Sequence, residues 1–284
     1  MSRLSLLIKR YLHDRKNYQF FIKNYIELGE LQRAADTMNT LRHAQILHCT
    51  QRHAPSGARI TIIAPHPDDE ILGAGGTLAL ARAAGCQVHT VYLTPGLSEV
   101  TDTNPLLESR GNAAEFGYTT RLLDFPVDAI PVDDPAAQAL AAAVSEHRPD
   151  FLWLPFLLDD EDDHRRASQL LMRAVQGGFL MARPRVWAYQ VYTSLPANVI
   201  VDITDVVPVK ERAINRYTSQ RRVRDWAHYV LGLNAYNTRF LPGNAPRRYA
   251  ETFFDLPLAD YVDLCAAYFR EPAGDCYVKP AYRT

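Results

Sequence analysis

The stretch at residues 61–76, T-I-I-A-P-H-P-D-D-E-I-L-G-A-G-G, joins an apolar run to a dense cluster of charge. The β-branched residues at its start predict a buried strand over Arg59–Ala64. Four ionisable residues follow within five positions: His66, Asp68, Asp69 and Glu70. Residues 72–84, rich in Ala and Leu, are predicted to form a helix. In an open α/β sheet, ligands bind at the carboxyl ends of strands, and this cluster lies at such an end.

Downstream of this turn, segments with strand character alternate with single segments of helical character. The predicted strands cover residues 87–94, 121–125, 150–155, 187–192 and 199–203. The predicted helices cover residues 106–116, 134–146, 164–175, 209–221 and 260–269. This alternation predicts an α/β fold with a mostly parallel sheet and right-handed crossovers.

The first acidic cluster has the residue types of a catalytic zinc site, which uses three protein ligands and leaves one position for water. His66 and Asp69 lie three residues apart at a strand-to-helix turn, so both can reach one ion. Asp68 is then free to act as a base on water at that ion. One alternative is a solvated turn in which an Asp caps the next helix. A dinucleotide site is another, but the glycines read G-x-G-G and not G-x-G-x-x-G.

A second acidic loop supplies a candidate for the third ligand. Residues 153–166, W-L-P-F-L-L-D-D-E-D-D-H-R-R, again run from a buried strand into acidic residues and a histidine. In a parallel sheet this loop lies on the same rim as the first cluster, so His164 becomes the natural third ligand. Asp163 can orient a ligand ring or a base. Residues 159–162 can be partly a solvated loop, and His164 can also be an ordinary histidine at a helix start.

These residues resemble the signature of the PIG-L/LmbE family of zinc-dependent deacetylases, most closely in A-P-H-P-D-D-E-I-L-G-A-G-G-T-L-A at residues 64–79. The family removes the acetyl group from N-acetylated amino sugars, often N-acetylglucosamine joined to a lipid, an inositol or a natural product. The resemblance implies a Rossmann-like α/β sandwich and extends over residues 58 to 255. Further landmarks are the Thr94-Pro-Gly loop, Glu108, Lys210, Ser219-Gln220 and Tyr249-Ala-Glu.

The resemblance also implies roles for individual residues. His66, Asp69 and His164 fall on the positions of the zinc ligands, and Asp68 falls on the general base. The family's second motif, H-x-D-H, stands here as Glu161-Asp-Asp163-His164, so Asp163 takes the supporting aspartate and Glu161 replaces the first histidine. In the family that histidine stabilises the oxyanion or protonates the leaving amine.

Three functions remain open at this point. The first is a zinc-dependent hydrolase of an N-acetylated, N-acetylglucosamine-like sugar, with Asp68, Glu161 and Asp163 as catalytic residues. The second is an amidase for another acyl amide, with the same metal chemistry and a different pocket. The third is a metal-binding protein with weak or no turnover, because a carboxylate at Glu161 would repel a developing oxyanion. Another divalent ion in place of Zn²⁺ is also compatible with these ligands.

The first 53 residues differ from the rest, with nine Lys or Arg and four acidic residues. Apolar residues at helical spacing predict a basic amphipathic extension with its linker over residues 1–57, and a deacetylase domain over residues 58–284. The extension can pack on the domain or a second copy, or contact an anionic membrane surface. The apolar run Leu4–Ile8 is too short for a secretory signal. A net charge of −1 gives no general attraction to nucleic acid. We therefore predict a cytoplasmic protein, with peripheral membrane contact as an alternative.

Substrate specificity is expected to come from loops at residues 95–105, 126–134 and 222–248. The last of these contains several aromatic and basic side chains that either line a carbohydrate pocket or pack in the core. They are Trp226, Tyr229, Tyr236 and Arg239.

Overall fold

The computed structural model describes residues 49–97, 103–193, 195–222, 224–243 and 246–269. In this part of the chain an eight-stranded sheet lies between two layers of helices. The strands are β1 (Thr50–Gln51), β2 (Arg59–Ala64), β3 (Gln87–Tyr92), β4 (Thr119–Leu122), β5 (Phe151–Pro155), β6 (Arg185–Tyr189), β7 (Val199–Asp202) and β8 (Ala250–Pro257). The helices are α1 (Asp69–Ala83), α2 (Pro105–Phe116), α3 (Asp134–His147), α4 (Asp162–Gln176), α5 (Val207–Arg216), α6 (Thr218–Arg221), α7 (Trp226–Asn237) and α8 (Leu258–Tyr268).

The order of the strands across the sheet is β1-β7-β8-β6-β5-β2-β3-β4. Every described strand pair is parallel except the two that involve β8. From β2 the chain builds outward through β3 and β4, and it then returns to place β5 on the opposite side of β2. The order therefore reverses between β2 and β5, and such a reversal opens a crevice at the carboxyl ends of the two strands. The predicted α/β fold with a mostly parallel sheet is confirmed.

Each face of the sheet has its own apolar core. One core is formed with α3, α4 and α8, and the other with α1, α5 and α7. Burial on both faces explains why the parallel strands read as continuous apolar runs, which made them visible in the sequence.

The glycines of α1 allow this helix to approach the sheet closely. A Cβ atom at Gly73 would lie 2.2 Å from the Tyr189 ring, and one at Gly76 would lie 2.8 Å from Ile203. These positions therefore allow close packing of α1 against β6 and against the residue that follows β7, and they do not form the loop of a dinucleotide site.

A fully buried ion pair fixes the middle of α1. Lys210 Nζ lies 2.6 Å from Glu251 Oε1 and also donates to the Leu72 carbonyl at 2.9 Å. The Glu251 carboxylate accepts from the Gly76 and Thr77 amides at 2.8 and 2.7 Å. In a regular α-helix the Leu72 carbonyl would accept from the Gly76 amide. Here the carbonyl accepts from Lys210 and the amide donates to Glu251, so the ion pair bridges these two backbone groups of α1. Because each charge has hydrogen-bond partners, its desolvation is compensated.

Several predicted boundaries were wrong. The predicted helix 209–221 is divided at Tyr217 into α5 and α6, and the predicted loop 222–248 contains α7. Strand β8 was not predicted, because Glu251 and Asp255 interrupt its apolar pattern. Both acids are buried and paired: Glu251 contacts Lys210, and Asp255 contacts Arg52 and Arg185.

The amino-terminal segment is described only from residue 49. Thr50 and Gln51, which the sequence assigned to the helical extension, pair with β7 as an edge strand. The predicted amphipathic helices before them lie outside the described residues, so their contact with a membrane or a second copy stays a prediction. Within the described ranges, no helix combines the length and the apolar character needed to cross a membrane.

Candidate metal centre

The predicted metal ligands meet at the crevice between β2 and β5. Residues 65–68 form the turn from β2 into α1, and residues 156–161 form the loop from β5 into α4. Asp69 is the first residue of α1, and His164 lies in the first turn of α4. The parallel pairing of β2 with β5 places these two helix starts side by side.

His66, Asp69 and His164 form one compact cluster. Asp69 Oδ1 lies 3.1 Å from His164 Nε2, and Asp69 Oδ2 lies 3.4 Å from His66 Nδ1. The centroids of the two imidazole rings are 5.7 Å apart. One ligand atom from each of the three residues lies within 4.8 Å of the others. Asp69 and His164 are fully buried, whereas His66 keeps a partly exposed edge.

The unsatisfied atoms of this cluster fit a bound cation. Asp69 Oδ1 and His164 Nε2 are buried and face each other, yet neither has a hydrogen-bond partner in the described part of the chain. Ligand atoms around a tetrahedral zinc ion, at bond lengths of about 2.0–2.1 Å, lie about 3.3 Å apart. The spacing of the facing atoms is therefore close to that of two ligands of one ion, and the donor set of two imidazoles and a carboxylate suits Zn²⁺.

The electrostatics of the cluster also favour a cation. Burial on its own lowers the pKa of His164, but the Asp69 and Asp159 carboxylates outweigh burial and raise it well above its usual range. Burial likewise lowers the pKa of His66, and Asp163 and Asp69 together raise it to about 10. The surrounding carboxylates therefore stabilise positive charge at the place where the three ligands meet.

Two buried carboxylates orient the imidazole rings. Asp159 Oδ1 lies 3.1 Å from His164 Nδ1, and Asp163 Oδ2 lies 3.2 Å from His66 Nε2. Each carboxylate can accept the N–H of the ring nitrogen that points away from Asp69, so in a neutral ring the nitrogen that faces Asp69 is the one without a proton. This arrangement fixes the tautomer of a metal-ligating histidine. Asp163 thus contacts the His66 ring, and it also accepts from the Asp128 amide at 2.7 Å.

Asp159 is a site residue that the sequence reasoning missed. It was assigned to a partly solvated loop, but its side chain is buried and also accepts from the Tyr192 amide at 3.1 Å. A separation of five residues did not predict a contact with His164, because Asp159 lies before the start of α4 and His164 lies within the helix. Its contact with the ring depends on the path of the loop.

Asp68 lies beside the cluster with its carboxylate unengaged. It occupies the position before α1 but makes no side-chain capping bond, so the alternative of a simple capping turn is wrong. Its backbone has φ of 150°, which is strained for a residue with a side chain. Burial, followed by the charge of Asp69, raises the pKa of Asp68 well above its usual range. A carboxylate with a raised pKa accepts a proton more readily at neutral pH.

The Glu70 carboxylate stabilises the strained backbone at Asp68. Its Oε2 accepts from the Asp68 amide at 3.2 Å, while Oε1 accepts from the hydroxyls of Tyr92, Tyr118 and Tyr217 at 2.8, 2.9 and 3.2 Å. Burial raises the pKa of Glu70 to about 7, despite the three hydroxyl donors. The carboxylate that accepts from the Asp68 amide is therefore part of a buried hydrogen-bond network.

Glu161 caps the helix that carries His164. Its Oε2 accepts from the His164 amide at 2.9 Å and lies 3.9 Å from His164 Nε2. Burial raises the pKa of Glu161 above its usual range. The residue therefore has a local structural role, and it also borders the ligand cluster.

A cavity of about 540 Å³ opens next to Glu161. Trp226 and Tyr229 line it, so these two residues of the predicted aromatic set belong to a pocket. Tyr236 and Arg239 are not among its lining residues, and the Arg239 guanidinium packs on the Tyr236 ring at 3.8 Å from its centroid.

We expect Asp159→Asn to lower zinc affinity by about 10- to 100-fold, because an amide fixes the tautomer and charge of His164 less well. The measurement is competition with a chelating dye. Asp255→Asn is the matched control, since Asp255 is equally buried and ion-paired but lies on β8. Equal zinc affinity in both variants would contradict a role for Asp159 in holding the ligand.

We expect Glu70→Gln to change how stability depends on pH. Glu70 has a pKa of about 7 in the folded state against its ordinary value of 4.5, so the folded state binds the extra proton between these pH values. Wild-type stability from this group is therefore present at low pH and decreases as pH rises from 4.5 to 7, by about 3 kcal/mol. Urea unfolding of both metal-free proteins across this window measures it. Parallel curves for the two proteins would rule out the raised pKa.

Comparison with known proteins finds a family model that matches part of the chain. The family described as PIG-L, GlcNAc-PI de-N-acetylase, matches residues 61–175, which contain the ligand cluster, Asp68, Glu70, Asp159, Glu161 and Asp163. A diacetylchitobiose deacetylase of Thermococcus kodakarensis is 28% identical over 188 residues, covering 57% of this chain and 70% of that one.

Solved structures show the same fold. The conserved protein TT1542 from Thermus thermophilus is 27% identical with a TM-score of 0.63, covering 70% of this chain and 95% of that one. An N,N'-diacetylchitobiose deacetylase from Pyrococcus horikoshii has a TM-score of 0.64 over 80% of this chain and 94% of that one, at 22% identity. Residues 61–175 therefore match the PIG-L family model, and the chain shares the fold of these solved structures.

Proposed function

We propose that this protein is a zinc-dependent hydrolase that removes the acetyl group from an N-acetylated, N-acetylglucosamine-like sugar. The observation that carries the proposal is the buried cluster of His66, Asp69 and His164 with the unengaged carboxylate of Asp68 beside it. The description of the matching family and the name of the Thermococcus relative support an N-acetylated sugar as the substrate.

The chain's own residues divide the reaction between them. An ion held by His66, Asp69 and His164 would supply a Lewis acid for the acetyl carbonyl and for water. Asp68 takes a proton from the water that attacks the acetyl carbon. Glu161, which borders both the ligand cluster and the cavity, donates a proton to the amine nitrogen as the C–N bond breaks. Asp68 then releases its proton and Glu161 takes one up, which restores both groups. Acetate and the free amino sugar are the products.

The supporting residues keep these groups in place. Asp159 and Asp163 hold the imidazole rings, and Glu70 holds the backbone of Asp68. The Thr94-Pro-Gly loop packs against the same turn: Thr94 Oγ1 donates to the Pro65 carbonyl at 2.9 Å. Gly96 has φ of 73°, and a Cβ there would lie 2.9 Å from Pro67, so only glycine fits this contact without displacement.

The main test is acetate release from N-acetylated sugars by the zinc-loaded protein. We expect Asp68→Asn to reduce release by at least about 10²-fold, because it removes the base but keeps the size of the side chain. Zinc affinity should stay close to wild type in this variant. His164→Ala, as the contrasting variant, should lose zinc as well as activity. Wild-type turnover in Asp68→Asn would exclude Asp68 as the base.

A second candidate function follows from Glu161, which stands where the family has a histidine. A carboxylate at that place can make the protein a metal-binding member with weak or no turnover. Zinc-loaded protein that releases no acid from any N-acylated sugar or other acyl amide would favour this candidate. Release from other acyl amides but not from acetylated sugars would favour an amidase.

We expect Glu161→Gln to lower kcat by about 10²-fold, because glutamine keeps an acceptor for the His164 amide but has no proton to give. Zinc binding and the free energy of unfolding should remain near wild type. Glu161→His, the family's residue, should retain turnover. Full activity in Glu161→Gln would mean that Glu161 only caps α4 and that another group protonates the amine.

A further inference from the structure

Helix α7 carries an apolar stripe that the described part of the chain leaves partly uncovered. The stripe repeats at spacings of three and four residues and continues into a 3₁₀ turn, and its members are Trp226, Tyr229, Leu233, Tyr236 and Phe240. Tyr229 and Tyr236 are each 56% exposed, and Phe240 is 39% exposed. The helix packs on the core through another face, which holds Ala227, Val230, Asn234 and Asn237. An exposed apolar stripe of this length indicates an interaction surface.

The segment that carries the α7 stripe is strongly positive. Residues 221–248 contain six arginines and one acidic residue. Two of the arginines pack on the stripe itself: Arg224 lies 5.4 Å from the Trp226 centroid, and Arg239 lies 3.8 Å from the Tyr236 centroid. A partner for this surface therefore needs an apolar face together with acidic groups. A second copy of the same surface would instead bring like charges together.

The described part of the chain begins beside one end of the α7 stripe. Cys49 packs against an apolar cluster formed by Ile200, Leu241 and Ala250. Leu241 directly follows the turn that carries Phe240. Burial raises the pKa of the Cys49 thiol to about 11, against an opposing effect of the nearby Arg239 charge. Because each residue spans at most about 3.6 Å, a residue three positions before Cys49 lies within about 11 Å of it.

The sequence before Cys49 has the pattern of an amphipathic helix over residues 30–46, which lie outside the described residues. Its apolar residues recur at helical spacing, and they are Leu31, Ala34, Ala35, Met38 and Leu41. Polar residues such as Arg33, Asp36 and Thr40 fall on the opposite side. At about 1.5 Å per residue, such a helix is about 25 Å long, and the α7 stripe is about 21 Å long.

The acidic residues of the amino-terminal extension are concentrated in this part of it. Residues 27–48 contain three acidic residues, Glu27, Glu30 and Asp36, and two arginines. Residues 1–26 contain one acidic residue and six Lys or Arg. The part of the extension that adjoins the described structure therefore has both the apolar face and the acidic groups that the α7 surface requires.

We propose that residues 30–46 dock on the α7 stripe of the same chain. The short connection to Cys49 holds the carboxyl end of the segment near Phe240. Two helices of similar length that meet at this end lie side by side, so Glu30 comes to the end of α7 that carries Arg224. Apolar contact and charge then both favour this occupant.

The docked segment also borders the candidate site. Trp226, Tyr229 and Leu233 belong to the α7 stripe, and they also line the cavity of about 540 Å³ beside Glu161. The segment therefore forms part of the solvent-facing wall of this cavity. The proposal does not depend on the proposed function, because docking is measured without turnover.

Disulfide cross-linking in the full chain tests the docking. Counted back from residue 46 beside Phe240, Met38 comes about level with Leu233. We expect Met38→Cys combined with Leu233→Cys to form an intramolecular disulfide on mild oxidation, identified by peptide mapping. Thr40→Cys with Leu233→Cys is the matched control and should form little, because Thr40 lies on the opposite side of the helix. Equal cross-linking in the two proteins would overturn the proposal, and a disulfide between two chains would overturn it in favour of a second copy.

Tryptophan fluorescence gives a second measurement, because Trp226 is the partly exposed tryptophan of the three in the chain. Trp153 and Trp187 are 0% and 2% exposed. We expect Met38→Asp in the full chain to increase acrylamide quenching of Trp226, since a charge on the apolar face shifts the docking equilibrium by about tenfold. Thr40→Asp makes the same change of charge on the polar face and should be quenched like the wild type. Equal quenching in the two variants would contradict the docking.

Vesicles that contain phosphatidylserine distinguish an anionic membrane surface as the partner, since arginines beside aromatic rings also suit such a surface. Wild-type Trp226 that is quenched freely alone and is protected only when vesicles are added would overturn the proposal in favour of lipid. Protection that is already present without vesicles and is lost in Met38→Asp supports the docked segment.

Discussion

Three consecutive carboxylates, Asp68, Asp69 and Glu70, are buried at the amino end of α1, and the surrounding structure compensates for them. Removing a carboxylate from water costs several kcal/mol unless it is paired and hydrogen-bonded. Glu70 is satisfied by three tyrosine hydroxyls and an amide, whereas Asp69 faces two histidines. Asp68 alone has no such partner within the described residues. Glu70 is therefore compensated by protein groups, whereas Asp69 keeps Oδ1 without a hydrogen-bond donor among the described residues, where a cation can bind. The uncompensated carboxylate of Asp68 belongs to the residue that is proposed to react.

The sheet makes this arrangement possible, because it brings a second helix start beside the first. The turn after β2 supplies His66 and Asp69, and the segment from the end of β5 into α4 brings His164 together with the carboxylates that contact the rings. The position of α1 is fixed at its middle by Lys210 and Glu251 and along its face by glycines that contact the sheet. A shift of this helix would move Asp69 relative to His164, so distant residues control the geometry of the centre.

The sequence predicts most of the sheet and the cluster of His66, Asp69 and His164, because both have local signals. Strand β2 is found at the predicted residues, Arg59–Ala64, and the ligands lie in two short acidic loops after strands. Helix α7 and strand β8 lack such signals: α7 has polar and apolar residues without a single apolar face, and β8 carries two buried acids. The partners of Asp159 and Glu70 come from segments far along the chain, such as Tyr217. Contacts of this kind depend on the fold and cannot be derived from spacing.

Glu161 stands where the H-x-D-H motif of the resembled family has a histidine, and its side chain caps helix α4. The cap position of α4 requires an acceptor for the His164 amide, and a glutamate supplies one at 2.9 Å. The local backbone is thus preserved, and the change that remains is one of charge. Glu161 joins Asp68, Asp69, Asp159 and Asp163 around two imidazoles, so the site is more negative than one with a histidine at that place. Additional negative charge favours a divalent cation and opposes a developing oxyanion. We therefore expect the glutamate to favour tighter metal binding, and the proton donor in the proposed reaction is the protonated form of Glu161.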